Sequence, residues 1–170
     1  MTGTLGRSVL VGLIGRGTAL SRTPRMHEVE GARQGLRYVY RRLDPAEMVT
    51  TPTFEEMLRA AEICGYAGVN VTHPYKQEAV AFLDDLSDEA RAVGAVNTIV
   101  LTDGRRVGHN TDLSGFAESF RRGMGQERMD RVVLIGAGAT LTAAALSGEG
   151  AGTCASRKEH RQTSRLCIDL

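Results

Sequence analysis

Asn70-Val71-Thr72-His73-Pro74-Tyr75-Lys76 lies between a short apolar run, Tyr66 to Val71, and a second apolar group at Ala79, Val80, Phe82 and Leu83. A brief apolar run behind a break, here Gly65, suits a buried strand. Pro74 suits the first position of a helix, because the N–H it lacks is one that a helix start leaves unbonded anyway. The spacing therefore predicts a strand running directly into a helix, with Lys76 in the first helical turn. A cation there faces unpaired backbone N–H groups and the positive end of the helix dipole. Such a conflict with local preference points to a functional position.

On the N-terminal side, Val9 to Ile14 reads as a strand broken by Gly15-Arg16-Gly17, and the loop ends at Ser21-Arg22-Thr23-Pro24. Thr23 is predicted to cap a helix that starts at Pro24, with Met26, His27 and Ala32 marking its sides. Leu36 to Leu43 alternates, with Leu36, Tyr38 and Tyr40 on one face and Arg37 and Arg41 on the other, as in a strand with one wet face. Thr53-Phe54-Glu55-Glu56 is a capping box, and Phe54, Met57, Leu58 and Ala61 follow at helical spacing until Gly65.

On the C-terminal side, Asp88 to Val93 reads as a short helix and Ala95 to Leu101 as a strand. Thr102-Asp103-Gly104 turns the chain into a hairpin partner at Arg106 to Gly108. His109-Asn110-Thr111-Asp112 ends that strand, and Leu113, Phe116, Ala117 and Phe120 give an amphipathic helix closed by Gly123. Strands alternating with helices predict a layered α/β domain over residues 1–111, with residues 112–130 as a connector. A new buried strand is predicted to start at Arg131.

The composition narrows the functions. A chain of 170 residues, 42% hydrophobic and 24% charged, has room for one good core and little more. A net charge of +1 without a long basic run offers no electrostatic footprint for nucleic acid or a membrane surface. No apolar segment is long enough to span a bilayer and no signal-peptide layout is present, so a cytoplasmic protein is expected. Cys64, Cys154 and Cys167 show neither metal-ligand nor redox spacing, so reduced thiols and no metal are expected.

Lys76 and Asp112 each follow a predicted strand end, where open α/β sheets place their sites, and together they could move a proton. Pattern alone also allows a solvated lysine and a helix N-cap. Ser21, Thr23 and Thr72 read equally as caps or turn residues, and Asn70 and Asn97 as loop holders. His27 on an amphipathic helix reads as a packing residue. Gly136-Ala137-Gly138 directly after an apolar strand is how a dinucleotide-binding unit begins, since glycines let the backbone approach a pyrophosphate. The third fingerprint position is Leu141, however, and no strand ending in an acidic residue follows about 20 residues on.

Several motifs in order carry a resemblance: Ser21-Arg22-Thr23-Pro24-x-Met26-His27, Asn70-Val71-Thr72-x-Pro74-x-Lys76, Gly94-Ala95-Val96-Asn97-Thr98, Gly108-x-Asn110-Thr111-Asp112-x-x-Gly115 and Gly136-Ala137-Gly138. Over residues 9–138 the chain resembles the shikimate dehydrogenase family. The resemblance implies a three-layer substrate-binding domain with a mixed, mostly parallel sheet, followed by a Rossmann domain for NADP or NAD. It also implies reversible oxidation of the C3 hydroxyl of shikimate to 3-dehydroshikimate, or the matching reaction of quinate. Lys76 and Asp112 would then be the catalytic acid/base pair. Ser21 and Thr23 would hold the substrate carboxylate, and Asn70, Thr72, Lys76, Asn97 and Asp112 would surround the ring hydroxyls. Gly136, Ala137, Gly138 and Ala139 would hold the cofactor. The resemblance leaves monomer and homodimer both open.

Two departures qualify this. Thr23 stands where biosynthetic members usually carry a second Ser, as in members that also oxidise quinate; the extra methyl is worth on the order of 1 kcal/mol. After residues 131–141, the expected start of the Rossmann domain, residues 142–170 resemble nothing in the family: Ala143 to Leu146 could continue a helix, Gly148-Glu149-Gly150-Ala151-Gly152 ends it, and the final stretch has no helix or strand period. A change of reading frame is one expected cause, which would leave the dehydrogenase impaired. The alternative expectation is a free-standing module that binds shikimate-like acids without turnover.

Overall fold

Six runs between Ser8 and His109 join one mixed sheet in the computed structural model, which describes residues 8–124, 131–135, 152–154 and 165–169. The strands are β1 (Ser8–Ile14), β2 (Arg37–Leu43), β3 (Gly68–Val71), β4 (Asp85–Leu86), β5 (Thr98–Thr102) and β6 (Arg105–His109), in the spatial order β2-β1-β3-β5-β6-β4. The central strand β1 runs parallel to β2 and β3, and β4 runs parallel to β6. The β3–β5 and β5–β6 pairs are antiparallel.

Helices cover both faces of the sheet, but along β2 one face stays wet as its alternation predicts, with Arg37, Val39 and Arg41 exposed. Tyr38 and Tyr40 point toward α1 (Thr23–Arg33), whose Gly31 sits so close that a Cβ there would stand 2.4 Å from the Tyr38 ring. The sequence pattern marked Ala32 as a side of this helix; Ala32 is exposed, and the buried contact is made through Gly31 because only hydrogen fits over the ring. Leu43, on the opposite face, packs under α2 (Phe54–Ile63). The capping box of α2 forms as expected, with Thr53 accepting the Glu56 N–H and Glu56 reaching back to the Thr53 N–H. Phe54, Leu58, Ile14, Val69, Val71 and Ile99 are fully buried in the core so made, each worth roughly 1.5–3 kcal/mol. The short helix α3 (Asp88–Val93) falls where its pattern placed it, and α4 (Asp112–Met124) runs through Gly123 instead of stopping there. Among the described residues no helix is long and apolar enough to cross a membrane.

The helix expected from Pro74 does not form. His73–Pro74 is a cis peptide, a turn follows, and only Glu78–Phe82 is helical, as a 3-10 segment. The turn's backbone groups are taken up elsewhere: the Lys76 carbonyl accepts the Val96 N–H at 2.8 Å, and Tyr75 N–H donates to the Thr72 carbonyl at 2.9 Å. Lys76 is thereby removed from the first turn of an α-helix, and the predicted conflict with a helix dipole disappears.

Beyond α4, β7 (Arg131–Ile135) is the strand that the sequence placed there. It pairs antiparallel with β9 (Arg165–Asp169), which pairs antiparallel with β8 (Gly152–Cys154). The sequence shows no strand period at β8 and β9, because three and five residues are too short to establish one beside the charged run before β9. Gly136, Ala137, Gly138 and Ala139 lie outside the described residues.

Arg106 on β6 clamps the far side of the sheet. Its guanidinium grips Glu62 at the end of α2 through two 2.6 Å bonds and donates to the Phe82 carbonyl at 3.2 Å. The hydrogen bonds from Arg106 are the main reason the Glu62 carboxyl sits below its ordinary value of 4.5, against partial desolvation. A carboxyl depressed by folding contributes stability that is complete above the unfolded value and lost as pH falls through the folded one. Thermal unfolding of the wild type should therefore lose Tm progressively below pH 4.5. Glu62→Gln should start lower at neutral pH and lose less over the same acid range.

Candidate functional site

The direction change between β3 and β5 builds the site. Because these strands are antiparallel with Asn70 opposite Thr98, the end of β3 and the start of β5 reach the same sheet edge. The end of β6 joins them, with His109 opposite Thr98. The loop after β1 is laced to the same edge: Thr72 N–H donates to the Ile14 carbonyl and Arg16 N–H to the His73 carbonyl, both at 2.9 Å. Four separate stretches of sequence thus meet around one opening.

At its centre Lys76 Nζ donates to Asp112 Oδ2 at 2.5 Å, with the side chains 23% and 27% exposed. That exposure leaves both groups reachable from solvent yet partly shielded, so the pair is stronger than an open surface bridge. Asn97 Nδ2 donates to the other oxygen, Asp112 Oδ1, at 3.0 Å, and to Thr111 Oγ1 at 2.8 Å. Asp112 does not serve as a cap with its own side chain; it is the first residue of α4, and its carboxylate turns to Lys76 and Asn97. A negative charge at that helix end is favourable. Buried Asn110 holds the geometry, accepting the Asp112 N–H at 3.0 Å and donating to the Ala95 carbonyl at 2.9 Å.

Asn70 joins through a chain of side chains. Its Oδ1 accepts the Tyr40 hydroxyl at 2.7 Å, its Nδ2 donates to Thr98 Oγ1 at 3.0 Å, and the Thr98 hydroxyl donates to Asn97 Oδ1 at 3.1 Å. Thr72 stands beside Gly15, where an added Cβ would come within 2.2 Å of the Thr72 methyl, so the glycine admits that side chain. Ser21 and Thr23 meet each other, hydroxyl to hydroxyl at 3.2 Å. Thr23 is not the cap that the sequence suggested. It is already the first helical residue, and Ser21 Oγ accepts its N–H at 3.3 Å, since a hydroxyl two residues upstream reaches that orphan donor.

Sequence reasoning passed over Tyr40, Thr98 and Asp44 as site-building residues. Asp44 is 2% exposed and takes the Thr18 N–H at 2.9 Å, the Thr18 hydroxyl at 3.2 Å and the Ala46 N–H at 3.1 Å. Burial alone would raise this carboxyl, but the donors from Thr18, Ala46 and Gly17 outweigh it and hold the group below its usual range. Asp44-Pro45 after an alternating strand was the available signal, as an acidic cap ahead of a proline. Through Thr18 it anchors the loop leading to Ser21, whose N–H donates to the Thr18 carbonyl at 3.0 Å. A separate apolar cavity of ≈ 180 Å³ under α2, lined by Leu43, Met48, Met57, Cys64 and Tyr66, includes none of the predicted site residues.

A lysine hydrogen-bonded to a carboxylate, ringed by short amides and hydroxyls, can exchange a proton with an oxygen and hold a small polyhydroxylated molecule. Fold and site together define a mixed-sheet α/β domain with its site at the edge where strand direction reverses. The chain belongs to the shikimate dehydrogenase family: the family's substrate binding domain matches residues 13–99. It is 49% identical over 146 residues to a shikimate dehydrogenase (NADP(+)) of Pseudarthrobacter chlorophenolicus, covering 85% of this chain and 50% of the relative. A quinate/shikimate dehydrogenase (NAD(+)) of Corynebacterium efficiens is 47% identical over 142 residues, covering 82% and 50%. The quinate dehydrogenase of Corynebacterium glutamicum, solved in complex with NAD, superposes with a TM-score of 0.70 at 45% identity, over 74% of this chain and 45% of that one. The chain spans about half the length of these relatives.

Replacing Asp44 by Ala should strand the buried Thr18 donors and destabilise the chain by roughly 1–3 kcal/mol. Hydrogen exchange at the Thr18 and Ser21 amides should accelerate more than exchange in α2. Uniform acceleration would instead make Asp44 a purely global support.

Proposed function

We propose that residues 1–111 bind a shikimate-type acid and that Lys76 and Asp112 move the proton in an NAD(P)-dependent oxidation of its C3 hydroxyl, or of the corresponding group of quinate. The observation carrying this reading is the 2.5 Å Lys76–Asp112 contact at the opening where the β1, β3, β5 and β6 loops meet. Ketone reduction would draw a proton from the pair onto the C3 oxygen, and oxidation would return one to it. Asn97, with one amide hydrogen on Asp112 Oδ1, keeps that carboxylate from turning away. Ser21 and Thr23 offer hydroxyls for the substrate carboxylate, and Thr72 for a ring hydroxyl. Asn70 belongs to the same polar wall.

A bound nicotinamide cofactor, NADP or NAD, supplies the hydride chemistry, and this reading assigns its pyrophosphate to Gly136, Ala137, Gly138 and Ala139. Residues 112–130 would connect the two parts, with residues 131–141 opening the cofactor unit. The setting is cytoplasmic and the ligand a small molecule, without nucleic acid or a membrane.

Titration of the chain with shikimate and with quinate tests the binding half. Saturable heat of binding is expected, and Lys76→Ala should weaken it about tenfold or more, the loss of a charge-assisted hydrogen bond being worth ~1.5–3 kcal/mol. Absence of binding to the folded wild type would sink the reading. Adding NAD or NADP and following reduced nicotinamide by absorbance separates an enzyme from a binding module that shows no turnover.

A further inference from the structure

We propose that Tyr40 is a positioning residue for the Lys76–Asp112 pair, its hydroxyl setting the direction of a side-chain hydrogen-bond chain through Asn70, Thr98 and Asn97. The inference deepens the reading above and rests on it for the role of the pair.

Strand parity makes the chain possible. On the sheet face toward α1, Val11 lies beside Tyr40 and Leu13 beside Asn70, so the Tyr40 side chain reaches over β1 to meet Asn70 on β3. Thr98 lies directly opposite Asn70 on the same face. The chain therefore crosses from the β2 edge to the site on one side of the sheet, while Asn97 and Asp112 carry it around the strand ends.

Every link points the same way. A phenol donating to Asn70 Oδ1 at 2.7 Å leaves the Asn70 Nδ2 hydrogens for Thr98 Oγ1 at 3.0 Å and, at the limit of reach, for the Asn97 carbonyl at 3.5 Å. Thr98, having accepted, gives its own proton to Asn97 Oδ1 at 3.1 Å. That oxygen also takes the Thr111 N–H at 3.1 Å, so the Asn97 amide must present Nδ2 to Asp112. Burial pushes the Tyr40 phenol up from its ordinary value, so it remains a donor wherever the chain is folded, and the His27 ring 5.1 Å away covers it. Without the hydroxyl, the Asn70 amide is free to turn over and offer its oxygen to Thr98. The Thr98 proton would then leave Asn97, and one of the two donors orienting Asn97 toward Asp112 would be lost. Asn70 accordingly acts mainly through Thr98, with its nitrogen hydrogens already committed.

Solution NMR of the full chain tests this, with the Asn70 and Asn97 side-chain amides assigned. In the wild type, the Asn70 amide protons should show contacts to Thr98 and none to the Tyr40 ring; the opposite pattern reverses the chain and overturns the proposal, whether or not any variant folds. Tyr40→Phe should shift the Asn97 side-chain amide, although among the described residues the Tyr40 hydroxyl bonds to Asn70 and not to Asn97. In a Thr98→Val background the same change should add nothing, because the chain is already cut. An Asn97 amide that ignores Tyr40→Phe, or moves equally in both backgrounds, also overturns it. Shikimate affinity should fall about fivefold in Tyr40→Phe, equivalent to ~1 kcal/mol. If the wild type binds no shikimate, the functional reading fails, and the amide shifts decide the chain by themselves.

Discussion

The antiparallel register of β3 on β5, with Asn70 opposite Thr98, is the constraint on which the site depends. Parallel strands on the β1 side send their ends toward one edge. An antiparallel β5 returns from that edge, so its first residues stand beside the last residues of β3. Lys76, Asn97 and Asp112, far apart in sequence, become hydrogen-bonded neighbours only through that reversal. Gly68 helps to allow it: a Cβ there would come within 2.6 Å of the Ile99 carbonyl oxygen, so any larger residue would press the two strands apart.

The charges in this chain serve two different ends. Glu62–Arg106 and Asp44–Thr18 are local clamps, satisfied from several sides, and they hold the loops and strand ends in place. Lys76–Asp112 is arranged otherwise. Each partner keeps solvent access at the opening, and the carboxylate is oriented by an amide instead of being enclosed. A clamp gains from complete satisfaction, whereas this pair keeps an open approach.

Legibility varied with the origin of each signal. The capping box of α2, the turn at Asp103-Gly104 and the alternation of β2 are local, and each element formed where its residues placed it. Pro74 misled because its helix-starting preference was overridden by the Val96 N–H bonding to the Lys76 carbonyl, a contact twenty residues away in the chain. Thr23 misled because it is already helical, and its own orphan N–H is taken by the Ser21 hydroxyl two residues upstream. Tyr40 and Asp44 looked like ordinary residues of a strand and its exit, since their partners, Asn70 and Thr18, are distant in sequence.

What the amino-acid order determined alone was the alternating α/β pattern, the capping box of α2 and the apolar faces, while Ser21, Thr23, Asn70, Thr72, Lys76, Asn97 and Asp112 were singled out by resemblance to a family's motifs. The pattern, the cap and the apolar faces are properties of neighbouring residues, set by helical and strand periods and by short-range hydrogen bonding. Only the tertiary structure decided that Lys76 leaves a tight turn, that Asp112 faces it, and that Tyr40, Thr98 and Asp44 support the site. Those facts depend on strand order and direction. They are fixed by which surfaces bury one another in the whole domain, and no local stretch of sequence carries that information.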